Sequence, residues 1–290
     1  MSDKHDLETV TLTGGLTITR MGYGAMQLAG PNVFGEPRDR GEALAVLREA
    51  VELGVTHIDT SDFYGPVVTN RLVREALHPY SGITIATKVG ARRGADGAWI
   101  PSLDPQDLQA QVHDNLDHLG MDVLDLVYLR LGSHEGTTDE SLKAEFEALA
   151  ELRDQGKIKH LGLSGVSSAQ LTEAQTIAPV VAIQNLYNLV NRDDDALLTR
   201  AAAENIAFAS FFPLGGFSPL QHGILDSVAT RLDASPQQVA LAWLLQRSTT
   251  SVVIPGTSTR THLRDNIAAA TLTLPTNAIT ELDTIATTHP

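Results

Sequence analysis

His57-Ile58-Asp59-Thr60-Ser61-Asp62-Phe63-Tyr64-Gly65 ends an apolar run on a carboxylate and places a phenol five residues further on. The next apolar run, Ile83 to Thr87, closes on Lys88. Side chains released at the ends of successive parallel strands converge on one mouth of a barrel, where barrel enzymes do their chemistry. This stretch therefore bears on fold and function together.

Working outward, short apolar runs alternate with segments whose apolar residues recur at three and four spacing. The runs predict strands near Gly22 to Met26, Thr56 to Asp59, Thr84 to Lys88, Leu124 to Leu129, His160 to Ser164, Ala182 to Asn185, Ala207 to Phe211 and Val252 to Ile254. The periodic segments predict helices at Arg40 to Leu53, Val67 to Leu77, Asp104 to Leu119, Ser141 to Gln155, Ser168 to Ile177, Asp194 to Glu204, Pro236 to Gln246 and Thr261 to Ala270. Ser235 before Pro236 is a helix start, and Gly54 and Gly156 stand where helices stop. Val10 to Thr13 and Leu16 to Thr19 flank Gly14-Gly15 as a hairpin. The expected fold is an α/β (β/α)8 TIM barrel with an N-terminal β-hairpin, formed as one domain over residues 1–290; an open doubly wound sheet shares the local pattern.

Composition narrows the partners. Against 35 acidic residues stand 21 Lys and Arg, a formal charge of -14 that repels phosphate backbones and anionic lipid. Neither nucleic acid nor membrane is an expected partner. With no cysteine, disulfides and thiolate chemistry are excluded. The opening Met1-Ser2-Asp3-Lys4-His5-Asp6 carries no apolar leader, so a cytoplasmic protein is expected. The ten histidines show no compact ligand spacing, and no metal is expected.

Reducing a carbonyl with a hydride needs an acid for the nascent alkoxide. A tyrosine serves if a nearby cation draws its pKa down from about 10. Lys88 supplies that charge, and Asp59 holds Lys88 in place and protonated. No G-x-G-x-x-G runs from a strand into a helix, because Gly22-Tyr23-Gly24 is followed by Gln27 where the third glycine would stand. A nicotinamide cofactor would have to bind without a Rossmann turn.

On Asp59, Tyr64 and Lys88 the chain resembles the aldo-keto reductases, barrel enzymes that bind NADP(H) without a Rossmann domain, and the resemblance spans nearly the whole chain. It implies NADPH-dependent reduction of a small carbonyl substrate. The family's fourth catalytic residue, a histidine closing the fourth barrel strand, is replaced by Arg130. A guanidinium cannot exchange a proton near neutral pH, so Arg130 is expected to bind substrate and act electrostatically.

The resemblance also implies cofactor positions. Gly24, Ala25, Met26 and Asp59 fall beside the nicotinamide, and Ser164 and Gln184 on its carboxamide, with Gly165 in place of the usual Asn. Phe211 falls against the ring, and Phe212, Pro213, Leu214, Gly215 and Gly216 around the pyrophosphate. Gly256, Thr257, Ser258, His262, Arg264, Asp265 and Asn266 match the adenosine end, where a helix N-terminus with Arg260 or Arg264 nearby suits a ribose 2′-phosphate and favours NADP over NAD.

A closer resemblance, to the bacterial pyridoxal reductase subgroup, rests on Gly22 to Pro31, Lys88 to Gly94, Arg130, and Phe211 to Phe217. It implies reduction of pyridoxal to pyridoxine, in which the ionisable ring hydroxyl gives Arg130 a partner. Two other functions stay open: a broad aldehyde and ketone reductase, and a cofactor-binding redox sensor with little turnover. For single residues the alternatives are structural. Arg130 could form an ion pair with an acidic neighbour, and His57 is expected in the core. His134 could replace the missing imidazole, and the adjacency of Phe211 and Phe212 lets only one of them face the mouth.

Overall fold

The structure is a computed structural model that describes residues 6–131, 139–216 and 222–286. Eight parallel strands form its centre: β3 (Tyr23–Gly24), β4 (His57–Asp59), β5 (Thr84–Val89), β8 (Leu124–Arg130), β9 (Ile158–Ser164), β10 (Val180–Leu186), β11 (Ala207–Phe211) and β12 (Ser251–Val253). They lie side by side in chain order. A parallel bridge between Met21 and Val253 closes the ring, with Gly22 N–H donating to Val253 O at 2.8 Å and Val253 N–H to Arg20 O at 2.9 Å. The expected barrel is what these residues build.

The strands are runs of Val, Ile, Leu and Ala because both faces are covered, one by the barrel interior and the other by helices. Those helices are α1 (Arg40–Glu52), α2 (Val68–Leu77), α3 (Pro105–Leu119), α4 (Lys143–Asp154), α5 (Ser168–Ile177), α6 (Asp195–Ala203), α7 (Gly223–Arg231), α8 (Pro236–Leu245), α9 (Arg260–Ala268) and α10 (Thr276–Asp283). Their starts follow local chemistry. Ser167 and Ser235 each accept from the backbone N–H three residues on, while Gln170 and Gln238 answer back to the cap. One contiguous apolar cluster runs from Leu7 to Ile285 between barrel and helices, and each fully buried Leu or Ile in it contributes about 1.5–3 kcal/mol.

Ahead of the barrel, β1 (Thr9–Thr11) pairs antiparallel with β2 (Thr17–Thr19). Leu12, Leu16 and Ile18 from this hairpin pack on Ala86, Leu126, Tyr128, Val181 and Val252, so it plugs the end of the barrel opposite the strand C-termini. Chemistry is left to the other end.

Three expectations change. The first barrel strand stops at Gly24, and Ala25–Leu28 turns as a 3-10 helix, because the chain must bend inward at the mouth. Helices α7 and α10 were not anticipated, since loop-like polar residues dominate their flanks. A second hairpin, β6 (Ala91–Arg93) paired with β7 (Trp99–Pro101), stands in Ala91 to Ser102, a stretch whose sequence reads as a pocket-shaping loop. Among the described residues no helix is long and apolar enough to cross a membrane.

Candidate active site

Asp59 ends β4, and the register that pairs it with Ala86 puts Lys88 two residues further up β5, on the same inward face. Lys88 Nζ donates to Asp59 Oδ1 at 2.5 Å and to Thr60 O at 3.1 Å. The second carboxylate oxygen of Asp59 accepts from Gln184 Nε2 at 2.9 Å, across the barrel from β10. Both members of the ion pair are only 4% exposed. A buried pair of this kind holds only when its remaining valences are met, and here they are.

Tyr64 follows on a turn that α2 pins from behind. Thr69 Oγ1 donates to Ser61 O at 3.1 Å, and Thr69 N–H donates to Tyr64 O at 3.2 Å. Behind that turn, Asn70 Nδ2 donates to Asp62 Oδ1 and to Asn115 Oδ1, and Thr60 Oγ1 donates to Asn70 Oδ1 at 2.8 Å. This network fixes the backbone from Thr60 to Tyr64, so Lys88 Nζ comes to lie 5.1 Å from the Tyr64 ring centre. Asp59, Tyr64 and Lys88 thus meet in one place.

Their protonation differs in part from expectation. Burial pushes the Tyr64 phenol above its ordinary value; Lys88 pulls the other way but does not win, and Asp59 adds to the rise. Tyr64 is therefore held as a phenol, and its pKa is not drawn down toward neutral pH. Burial acts to lower the Lys88 pKa, yet the facing carboxylate of Asp59, with hydrogen bonding to Asp59 and Tyr64, outweighs it and keeps the ammonium charged. His57, two residues before Asp59, is fully buried with neither ring nitrogen hydrogen-bonded among the described residues, and burial takes its pKa down to about 4.

Above this cluster lies a cavity of about 160 Å³. Of the predicted positions, Gly24, Met26, Asp59, Tyr64, Lys88, Arg130, Ser164, Gln184, Phe211 to Leu214, Gly216 and Gly256 line it. The Ser164 side chain has no hydrogen-bond partner among the described residues, so its hydroxyl is available to a ligand. Arg130, the last residue of β8, has no carboxylate partner among the described residues, and its guanidinium lies 5.9 Å from the Trp99 ring. The described residues alone thus supply no ion pair for Arg130.

One other expectation is corrected. Phe211 and Phe212 both line the cavity, because Phe212 has left the strand with φ of 51° and turned its ring edge-on to Phe211. Ala25 is fully buried in the main core, and Gly215 is not on the cavity wall. Thr257, Ser258, His262, Arg264, Asp265 and Asn266 lie beyond the cavity, which ends at Gly256. The N-terminus of α9 is met from within the protein: Glu42 of α1 accepts from Arg260 N–H at 2.9 Å and pairs with the Arg260 guanidinium at 3.1 Å, while Glu49 pairs with Arg264. His134 and Phe217 lie outside the described residues.

Gln27, Phe63, Trp99, Ile254 and Pro255 line the cavity without having been singled out. Phe63 sat inside the quoted stretch, and its adjacency to Tyr64 was the available signal. Trp99 needed the β6–β7 hairpin, which carries it across the mouth. Among the described residues no group of three or more His, Asp or Glu gathers as a metal site.

With this geometry in hand, comparison with known proteins is direct. Residues 20–287 match the model of the aldo/keto reductase family. The chain is 55% identical over 281 residues to pyridoxine 4-dehydrogenase of Escherichia coli (strain K12), covering 96% of this chain and 98% of that protein. It superposes with a TM-score of 0.81 on the thermostable aldo-keto reductase Tm1743 in complex with the inhibitor epalrestat, at 26% identity over 96% of this chain and 100% of that one. An aldo/keto reductase from Klebsiella pneumoniae in complex with NADP and acetate shares the fold with a TM-score of 0.77, at 21% identity over 97% and 95% of the two chains.

Proposed function

Since the chain belongs to the aldo/keto reductase family, we propose that it is an NADPH-dependent aldehyde reductase whose substrate is pyridoxal and whose product is pyridoxine. The single observation that carries the chemistry is the buried Asp59–Lys88 pair set against the Tyr64 phenol. The substrate rests on the 55% identity to pyridoxine 4-dehydrogenase and on an Arg130 at the cavity wall that has no carboxylate partner among the described residues.

The cavity suits the nicotinamide end of the cofactor the family uses. It runs from Gly24 and Ser164 past Phe211 to Gly256, offering a free hydroxyl, an aromatic face and close backbone. Ser164 and Gln184 would hold the nicotinamide end, Phe211 its ring, and the Phe212 to Gly216 turn the diphosphate. Bound there, NADPH supplies the hydride.

The protein's own residues do the rest. Tyr64 donates the phenolic proton to the oxygen that gains charge as the carbonyl is reduced. Lys88 stabilises the tyrosinate left behind, and Asp59 holds Lys88 on target without taking its proton, because the facing carboxylate raises the Lys88 pKa above its ordinary value. Arg130 holds the substrate's ionised ring hydroxyl and so orients the aldehyde toward Tyr64. On this reading residues 1–290 act as one catalytic domain, in the cytoplasm, with no nucleic acid or membrane partner.

The test is to follow loss of the reduced nicotinamide absorbance with pyridoxal and to identify the product by chromatography. Stoichiometric pyridoxine supports the proposal. A benzaldehyde rate that exceeds the pyridoxal rate in direct competition would replace it with the broad reductase, and tight NADPH binding with no turnover of either aldehyde would replace it with the sensor.

A further inference from the structure

Val33, Phe63, Tyr64 and Ala91 form a small apolar cluster separate from the main core, with Met26, Ala29 and Trp99 packed against it. Three chain segments meet there: the turn after β3, the turn that carries Tyr64, and the β6–β7 hairpin. On its outer side the hairpin is tied to α3, where Arg92 pairs with Asp107 and Asp114. On the side that faces the mouth it is held by Arg93.

Arg93 stands directly across the hairpin from Trp99, and its guanidinium lies 4.1 Å from the Trp99 ring centre. On its other side Phe34 is at 5.3 Å. The fork of donors is spent on backbone carbonyls: Nη1 donates to Val33 O at 2.7 Å, and Nε and Nη2 donate to Gly97 O at 3.1 and 2.8 Å. Among the described residues Arg93 has no carboxylate partner, so its bonds are to shape and not to charge. Burial lowers its pKa, but a guanidinium stays charged.

The carbonyl it takes is a meaningful one. Val33 has φ of 58°, a left-handed conformation that a β-branched residue adopts only when its surroundings impose it. The same Val33 O accepts from Gly65 N–H at 3.2 Å, and Gly65 is the residue after Tyr64. Arg93 thereby ties the hairpin to the turn that presents Tyr64. Trp99 is left edge-on to Phe63 at 5.5 Å and to Tyr64 at 6.4 Å, forming a wall of the cavity.

We propose that Trp99 is a specificity-determining residue, the wall against which a planar aromatic aldehyde is aligned, and that Arg93 is the positioning residue that holds it there. The inference rests on the aldehyde reductase reading above. A flat ring gains from an ordered aromatic wall, whereas a small aliphatic aldehyde reaches Tyr64 without touching it. Arg93 should therefore matter for one substrate class and not for the other.

The experiment is a double-mutant cycle over Arg93→Ala and Trp99→Ala, with Arg93→Lys alongside, measuring kcat and KM for pyridoxal and for propanal. Arg93→Ala is expected to raise KM for pyridoxal about tenfold, with kcat nearly unchanged and propanal kinetics within about twofold of wild type. In the Trp99→Ala background the same change is expected to add almost nothing, because Arg93 acts through Trp99. Arg93→Lys keeps the charge but not the fork, and is expected to fall between; it also carries the test if Arg93→Ala does not fold. Equal losses on both aldehydes, or an Arg93 effect that persists undiminished without Trp99, would overturn the inference. Failure of the wild-type protein to reduce any aldehyde would instead overturn the reading on which it rests.

Discussion

The floor of the cavity and the first turn of α9 are both built from arginine or lysine paired with carboxylates, yet the two regions are held in opposite ways. At the floor, Lys88 and Asp59 are out of water, with Thr60 and Gln184 hydrogen-bonded to the pair and Tyr64 beside it. On α9, Arg260 and Arg264 are 48% and 60% exposed along their side chains, and their partners Glu42 and Glu49 come from a neighbouring helix. The first pair is fixed by the barrel's register; on α9 the Arg260–Glu42 pair is an exchangeable surface arrangement, worth about 0–1 kcal/mol, while Arg264 meets a Glu49 that is itself buried. A buried charge pair marks where chemistry is fixed, and an exposed one marks where a charged ligand can compete.

The contrast breaks most visibly if the floor is cut. Asp59→Asn leaves a buried ammonium with no counter-charge, and should lower unfolding free energy by about 3–5 kcal/mol and turnover by at least about a hundredfold. Urea melts and steady-state rates check both. If stability and rate stay near wild type, the floor is no more fixed than the rim.

His57 sharpens the same side through pH. Its folded pKa, about 4, lies below the ordinary 6.5, so the folded state resists its protonation. The stability this represents is complete above about pH 6.5 and is lost as pH falls toward 4; a shift of this size corresponds to roughly 3 kcal/mol. Melting curves between pH 7 and pH 4 should show a steeper loss in wild type than in His57→Gln. Parallel curves would mean that the imidazole is hydrated in solution.

At the rim the expected effect is smaller and has the opposite sign. Glu42→Gln removes the carboxylate that holds Arg260 through both its backbone N–H and its guanidinium. NADPH should then bind about threefold more tightly at low ionic strength, with the gain vanishing in high salt. Weaker binding would show that Glu42 orders the site instead of competing for it.

These differences also explain what could be read in advance. Asp59, Tyr64 and Lys88 were legible because strand ends and short spacings carry their placement, and the eight barrel strands because alternation with helices repeats along the chain. Trp99 and Arg93 were not, because a hairpin of three-residue strands leaves almost no periodic signal and its partner across the mouth is Val33, sixty residues earlier. The direction of the Tyr64 shift was misjudged because charge neighbours can be listed from sequence, whereas the depth of burial cannot. The α9 positions were legible as a helix start, but Glu42, more than two hundred residues away in sequence, gives no local sign that it will occupy that end.

The central claim, that Tyr64 is the proton donor over a floor that holds it as a phenol, is tested most directly by Tyr64→Phe. NADPH binding, followed by titration of intrinsic fluorescence, and reduction of pyridoxal should be measured on the same preparation. The account predicts unchanged NADPH affinity with turnover reduced by at least about a hundredfold. Turnover within a few fold of wild type would contradict it and move the proton to another group.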